Sequence, residues 1–478
     1  MTGVGHAAEM TGRPGARGVL PISFACAGCG YLAPPDRPVP MRCPRAHPDD
    51  DIDHVMGRVL DSGRLRFPTD PSANPFVRYR TLFHAYHLAL ALGWSDADYV
   101  ALVERLDAAV AAVDGRGFQV TPFARNETLS DHLGFGHDGG VFVKDETGDV
   151  SGCHKARHLM GTLLELEVAA ALDGHGTAHG RLAIASCGNA ALAAAVVAAA
   201  AGRDLEVFIP PDAHPAVVAR LRALGAHLTV CEREPGVPGD PTYHRLRAAV
   251  DAGAIPFTCQ GNENGFAIEG GLTLGYELVT DLAAMGTKLD RLFVQVGGGA
   301  LASACSQGLA EARGLGAIAR EPTLHPVQAE AAAPLARAHE RLAHRLDTDA
   351  PTDDDIAWAA HHRSAFMWPW ETEPHSIAGG ILDDETYDWL AVVRGTLASR
   401  GWPVVVDEAT LLEANHIART TTGIDVDPTG SAGLAGLLEL RRHGRIDSDE
   451  TVAVIFTGVR RDSAPVADTS EALVGGPR

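Results

Sequence analysis

Four stretches of the chain each run from β-forming residues into small, polar or charged residues that could do chemistry. In residues 141–158, VFVKDETGDVSGCHKARH, a strand gives way to charges and glycines before Lys155 opens a helix. A helix N-terminus disfavours an ammonium, and a neutral amine is the form that attacks an aldehyde. The competing reading is a surface lysine that merely starts a helix. In residues 184–200, IASCGNAALAAAVVAAA, a hydrophobic strand runs through Ser186-Cys187-Gly188-Asn189 into a helix. The exposed N–H groups of such a turn bind anions, a substrate carboxylate among them. Gly188 permits close backbone approach, and Asn189 offers an amide to a ring oxygen. The plainer alternative is an ordinary strand–turn–helix joint capped by Asn189.

The third stretch, LFVQVGGGALASA (292–304), again leads from a buried strand into glycines and a helix of small residues. Gly297, Gly298 and Gly299 can turn successive N–H groups toward a phosphate, or form a simple tight turn. The run lacks the Lys-Ser/Thr ending of a nucleotide loop and the dinucleotide spacing, so a phosphate-bearing cofactor fits better than ATP or NAD. The fourth, TVAVIFTGVRRD (451–462), ends a strand in Thr457-Gly458. A hydroxyl there points into the crevice where open α/β sheets bind ligands, although threonine is also an ordinary strand residue.

The elements that must position these residues follow from periodicity. Short β-rich runs are expected at 141–144, 181–185, 206–209, 227–230, 292–296, 323–328 and 452–456. Helical runs are expected at 155–172, 189–201, 214–224, 242–252, 269–284, 300–313 and 429–442. Their alternation implies crossover connections and a largely parallel α/β sheet covered on both faces. Residues 76–113 read as helical, with Trp94-Ser95-Asp96 as a break and N-cap. Residues 335–360 read as helical with a loop.

The chain has 478 residues, 46% of them hydrophobic, and a net charge of −21. That length buries a large core in two or three domains. No basic face suggests a nucleic-acid partner, and no run is long and apolar enough for a membrane span. The start, read as a flexible leader, has no signal-peptide pattern. Eight cysteines in a chain this long do not form a secreted disulfide framework. The expected location is the cytoplasm.

The order of the four motifs, each at a strand end, resembles the fold type II pyridoxal-phosphate (PLP) enzymes. These include the tryptophan synthase β-subunit, threonine synthase and the serine/threonine dehydratases. The resemblance spans roughly residues 120–465 and includes IEGGLTLGYEL (268–278), with Gly271 where glutamine is common, ALGAHLTV (223–230) and IDVDPTGSAGLAGLLEL (424–440). It implies two open, twisted parallel-sheet domains: a large one from 119–176 with 276–464, and a small one from 177–275. Before them would lie a leader (1–20), a zinc-ribbon-like segment (21–60) and a helical segment (61–118), with a tail at 465–478. It further implies that Lys155 carries PLP as a Schiff base. Asn189 would bond the phenolic oxygen, Gly297, Gly298, Gly299 and Ala300 hold the phosphate, and Thr457 face the pyridine nitrogen. Ser186, Cys187, Gly188 and Ala190 would hold the carboxylate of an amino-acid substrate. A homodimer is expected on the same ground.

A neutral hydroxyl at Thr457 would leave the ring a weaker electron sink than a carboxylate would, favouring elimination or replacement over transamination. The implied activity is a lyase that eliminates a β-substituent from a serine- or threonine-like amino acid. The alternatives are threonine-synthase-like or β-replacement chemistry on a phosphorylated or acylated amino acid, and a non-catalytic PLP-binding regulatory protein. The segment Ser151-Gly152-x-x-Lys155-Ala156-Arg157 resembles D-serine dehydratase, whereas Thr457-Gly458 and the residues after it resemble threonine synthase. Cys153-His154 replaces the family's Ser-Phe, with His154 expected to pack in place of the aromatic. Near the N-terminus, Cys26-x-x-Cys29, Cys43 and His47 have spacings that suit a structural zinc, with His54 a rival ligand. The alternative is a ribbon that folds without metal. His375 and Ser376 are further candidates for substrate contact. The aromatic run Phe366-Met367-Trp368-Pro369-Trp370 reads as core packing.

Overall fold

The structure, a computed structural model, describes residues 19–461 apart from 36, 48, 174–179, 234–236, 238 and 347–350. The expected leader lies almost wholly outside the described residues, and the expected tail wholly so. Twelve strands among the described residues form three sheets. The first sheet is an antiparallel ribbon of β1 (Ile22–Cys26) and β2 (Met56–Leu60).

The largest sheet contains β3 (Phe123–Arg125), β4 (Gly140–Asp145), β9 (Arg291–Gln295), β10 (Thr323–Ala329), β11 (Val404–Val406) and β12 (Thr451–Phe456). Its order is β11-β10-β9-β12-β4-β3, parallel except for the edge pair β3–β4. The other sheet, all parallel, has the order β7-β6-β5-β8, from β5 (Leu182–Ala185), β6 (Leu205–Ile209), β7 (His227–Val230) and β8 (Ile255–Pro256). Every residue of β12 is buried, as expected of a central strand covered on both faces.

The helices follow the apolar periodicities. Helix Asp96–Asp114 begins at the expected break, where Ser95 and Asp98 form a reciprocal capping box. Helix Lys155–Asp173 packs against helix Ala267–Met285 with almost no room between the backbones. A Cβ on Gly161 would stand 2.6 Å from the Gly270 Cα, and one on Gly271 would overlap the His158 ring. His158 therefore fills the space that the larger side chain expected at 271 would have taken. The fold also brings polar groups into this core. Arg157 is fully buried and binds Glu146 (2.8 Å), Asp149 (3.0 Å) and Glu277 (2.5 Å), while Lys144 reaches Glu277 at 2.6 Å. Burial, with Glu146 and Glu277 as neighbours, pushes the Asp149 carboxyl well above its usual range. Arg157 thus ties the start of its helix to β4 and to helix Ala267–Met285.

Candidate active site

Parallel strands deliver their carboxyl ends to one edge of a sheet, and the connections that follow them are where ligands bind. The segments after β4, β5, β9 and β12 meet there around a cavity of about 410 Å³. Its walls include Lys155, Ser186, Cys187, Gly188, Asn189, Ala190, Gly297, Gly298, Gly299, Ala300 and Thr457. The four motifs, spread over three hundred residues of chain, are thus brought to one place. A larger cavity of about 560 Å³ lies between β2 and helix Ala300–Gly314 and holds none of them.

The chain contains three lysines. Lys144 is buried on Glu277 and Lys288 is exposed, so Lys155 alone reaches the cavity. Lys155 is the first residue of its helix, and a strained approach holds it there. Ser151 has φ +56°, unusual for a residue with a side chain. Its N–H donates to Asp114 at 2.8 Å, and its carbonyl accepts from Arg461 Nη2 at 2.7 Å. Gly152, at φ +66°, passes so close to Val459 that a Cβ would overlap it, and its carbonyl accepts the Val459 N–H. The backbone before Lys155 is in this way laced to the backbone after β12.

The glycine run turns at Gly299, which has φ +97°. A Cβ on Gly298 would stand 2.8 Å from the Tyr387 ring, and one on Gly297 would meet Ile381 and the Asp383 carboxylate. Nothing larger than glycine fits this cradle. Asp383 accepts the Gly298 N–H, and burial raises its carboxyl to about 6. Thr457 Oγ1 accepts the His154 backbone N–H at 3.0 Å and lies 2.8 Å from His154 Nδ1. Asn189 opens its helix, and its amide oxygen accepts two bonds from Arg461. Buried acceptors on the walls remain without partners, Gln295 Oε1 among them. An amine at a helix start, a glycine cradle and unsatisfied polar walls fit a phosphate-bearing aldehyde.

A family model described as "Pyridoxal-phosphate dependent enzyme" matches residues 116–458. The chain belongs to that family. It is similar to the threonine synthase of Mycobacterium bovis, 26% identical over 283 residues covering 59% of this chain and 68% of that protein. The threonine synthase of Methanosarcina acetivorans is 25% identical over 369 residues, covering 73% and 77%. Among solved structures, a threonine deaminase of T.th. superposes with a TM-score of 0.53 at 24% identity, covering 76% of this chain and 99% of that one. A PLP-dependent aspartate racemase gives 0.55 at 17% identity, covering 75% and 96%. These superpositions establish the fold as that of the fold type II PLP enzymes.

The structure also shows what sequence reading missed at this PLP-enzyme site. Asp240, Asp383, Tyr387 and Gln295 line the cavity. Asp383 lies in the run 374–384, but the expectation there fell on His375 and Ser376. His375 is exposed, and Ser376 donates to Glu408 at 2.6 Å, while Gly379 to Asp383 face the cavity instead. Arg157, whose presence resembled a dehydratase, is sequestered in the ion network and does not line the cavity. Cys153 is buried, and burial pushes its thiol up to about 12, consistent with a filler role. Phe366 and Met367 are core residues, whereas Trp368 carries the Arg337 guanidinium 3.6 Å from its ring centre.

The N-terminal cluster needs one correction. Cys26, Cys29, Cys43 and His54 place their ligand atoms within 4.8 Å of one another, and His47 is not among them. The His47 ring is exposed and accepts the Asp49 N–H. His54 closely precedes β2, and pairing of Met56 with Cys26 returns it to the cysteines. Its Nδ1 lies 3.4 Å from Cys26 Sγ, and its Nε2 meets Asp50 at 3.0 Å. Cys29 and Cys43 have sulfurs 3.6 Å apart, close to the roughly 3.7 Å set by two bonds of a tetrahedral zinc. A carboxylate behind the histidine completes a donor set suited to a structural zinc.

Proposed function

We propose that this chain is a PLP-dependent lyase that eliminates the β-hydroxyl, or another neutral β-substituent, from a serine- or threonine-like amino acid. Bound PLP would supply an electron sink for the charge left when a proton is removed from the substrate Cα. Lys155 is the residue proposed to hold the cofactor. Its freed Nζ would take the Cα proton and deliver one to the departing hydroxyl. The N–H groups of residues 186–190 would hold the substrate carboxylate at the start of helix Asn189–Ala200. Gly297 to Ala300 would hold the phosphate, and Asn189 and Thr457 the two polar edges of the ring.

One observation carries the choice of substrate. Lys155 is the only cation among the described cavity-lining residues, which include the carboxylates Asp240 and Asp383. A phosphorylated side chain would bring a second anion without a partner and with two carboxylates for company. The similarity to threonine synthases supports replacement on an activated amino acid as the second reading. Ammonia and keto-acid release from serine and threonine, set against phosphate release from O-phosphorylated amino acids, separates the two. Phosphate release alone would overturn the lyase reading. Borohydride reduction followed by peptide mapping should place the cofactor on Lys155; a label elsewhere would overturn that assignment.

A further inference from the structure

A separate, small cavity of about 130 Å³ adjoins the turn that precedes Lys155 and has no part in the proposed reaction. Its walls include Asp114, Arg116, Thr147, Ser151, Arg220 and Arg461. Three guanidinium groups thus converge on it, with Asp114 the only carboxylate among the described lining residues. In a chain of net charge −21 this concentration of positive charge runs against the charge of the whole.

Asp114 does not neutralise the three. Its Oδ2 accepts the Ser151 N–H at 2.8 Å. Arg116 Nε and Arg220 Nη2 stand 3.8 and 3.9 Å from its carboxylate, beyond hydrogen-bond reach. Backbone contacts aim two of the arginines. Arg116 Nη1 donates to the Gly148 carbonyl at 3.1 Å, and Arg461 Nη2 donates to the Ser151 carbonyl at 2.7 Å. Arg220 is half-exposed and has only the long contact with Asp114 among the described residues.

We propose that this cavity binds a small tetrahedral oxyanion: inorganic phosphate or the phosphate end of a small metabolite. Guanidinium forks match the oxygens of such an anion, and two of the three are already held in place. The volume is well below the roughly 300–1,000 Å³ of a drug-sized ligand site, which excludes a whole nucleotide. The anion would also act as a clamp. Arg220 comes from helix Pro215–Ala223, which packs beside β7 of the four-stranded sheet. Ser151 and Arg461 follow β4 and β12 of the six-stranded sheet. Like charges that repel across the cavity are drawn together through a shared anion. Occupancy reaches the cofactor through Arg461, whose other bonds hold the Asn189 amide oxygen. That last effect rests on the proposed placement of Asn189 at the ring.

The test uses the PLP-loaded protein, so that the cofactor's own phosphate already fills the loop proposed for it. Calorimetric titration with inorganic phosphate, at ionic strength held constant with sodium chloride, should show one saturable equivalent. Arg220→Gln should weaken that binding roughly tenfold, the scale of one charge-assisted hydrogen bond. Arg116→Gln combined with Arg220→Gln should abolish it, while PLP content and circular dichroism stay native. Absence of saturable binding to the native protein would overturn the site. Unchanged binding in the double variant would place the anion elsewhere and overturn it too. Glycerol 3-phosphate identifies the source: tighter binding than phosphate marks a small metabolite, and equal or weaker binding the free ion. Hydrogen exchange should slow with phosphate at both 215–223 and 148–152; protection of one alone would overturn the clamp. PLP should leave the phosphate-bound protein several-fold more slowly. If phosphate binds and clamps but PLP leaves at an unchanged rate, the placement of Asn189 at the ring falls and the anion site stands.

Discussion

Arg461 holds the amide oxygen of Asn189 with two nitrogens, Nε at 3.2 Å and Nη2 at 3.1 Å. The contact spans 272 residues of sequence and fixes the orientation of the amide, whose nitrogen donates to Asp427 at 3.4 Å. Arg461→Leu should free the amide to turn and weaken PLP binding roughly tenfold, the scale of one charge-assisted hydrogen bond. Equilibrium dialysis against PLP measures it. Unchanged affinity would mean that the amide's orientation does not matter to the cofactor.

Asp383 puts a carboxylate against the loop expected to receive a phosphate. Asp383→Asn should tighten PLP binding by roughly tenfold at about pH 8, one pKa unit's worth of interaction. The sign with pH follows from the raised carboxyl, which sits at about 6. Above that value native Asp383 is charged and opposes the phosphate; below it the carboxyl is neutral. The advantage of the variant should therefore shrink as pH falls through about 6. Equal affinities under the alkaline condition would remove Asp383 from the phosphate's neighbourhood.

Arg157 is enclosed by Glu146, Asp149 and Glu277 with no water-facing surface. Arg157→Met leaves buried carboxylates uncompensated and should cost about 3–5 kcal/mol in a denaturant titration. Raising the pH should enlarge that loss, because the Asp149 carboxyl is held well above its normal range and ionises only as pH rises. A loss near zero would show that the cluster relaxes or admits water.

The N-terminal cluster distinguishes its two histidines sharply. His54→Ala should lose bound zinc by elemental analysis and lower the melting temperature, whereas His47→Ala should do neither. Retention of a full zinc equivalent in His54→Ala would exclude His54 as a ligand.

Much of this site was legible because each motif couples a hydrophobic strand to a local chemical signature. Gly297 to Gly299 follow a buried run, and Lys155 opens a helical one. What stayed hidden depends on long-range geometry. β3, β8 and β11 have three, two and three residues, too few to show a period. Cys43 and His47 have a ligand-like spacing, but the pairing of β1 with β2 decides which histidine returns to the cysteines. Asp240, Asp383 and Arg461 sit in loops with no pattern of their own, so only the assembled fold reveals what they face. Arg157 misled for the opposite reason: it lies two residues from Lys155 but on the face of the helix turned into the core.

The scarcity of lysine has a practical side. Aldehydes condense with amines and not stably with guanidinium groups, and only three of the chain's 40 basic side chains are lysines. Lys144 is locked inside the protein and Lys288 is the sole lysine on its surface. Stray adducts, which blur such measurements on lysine-rich proteins, have almost nowhere to form here. An optical titration with PLP should read occupancy of a single site nearly free of background.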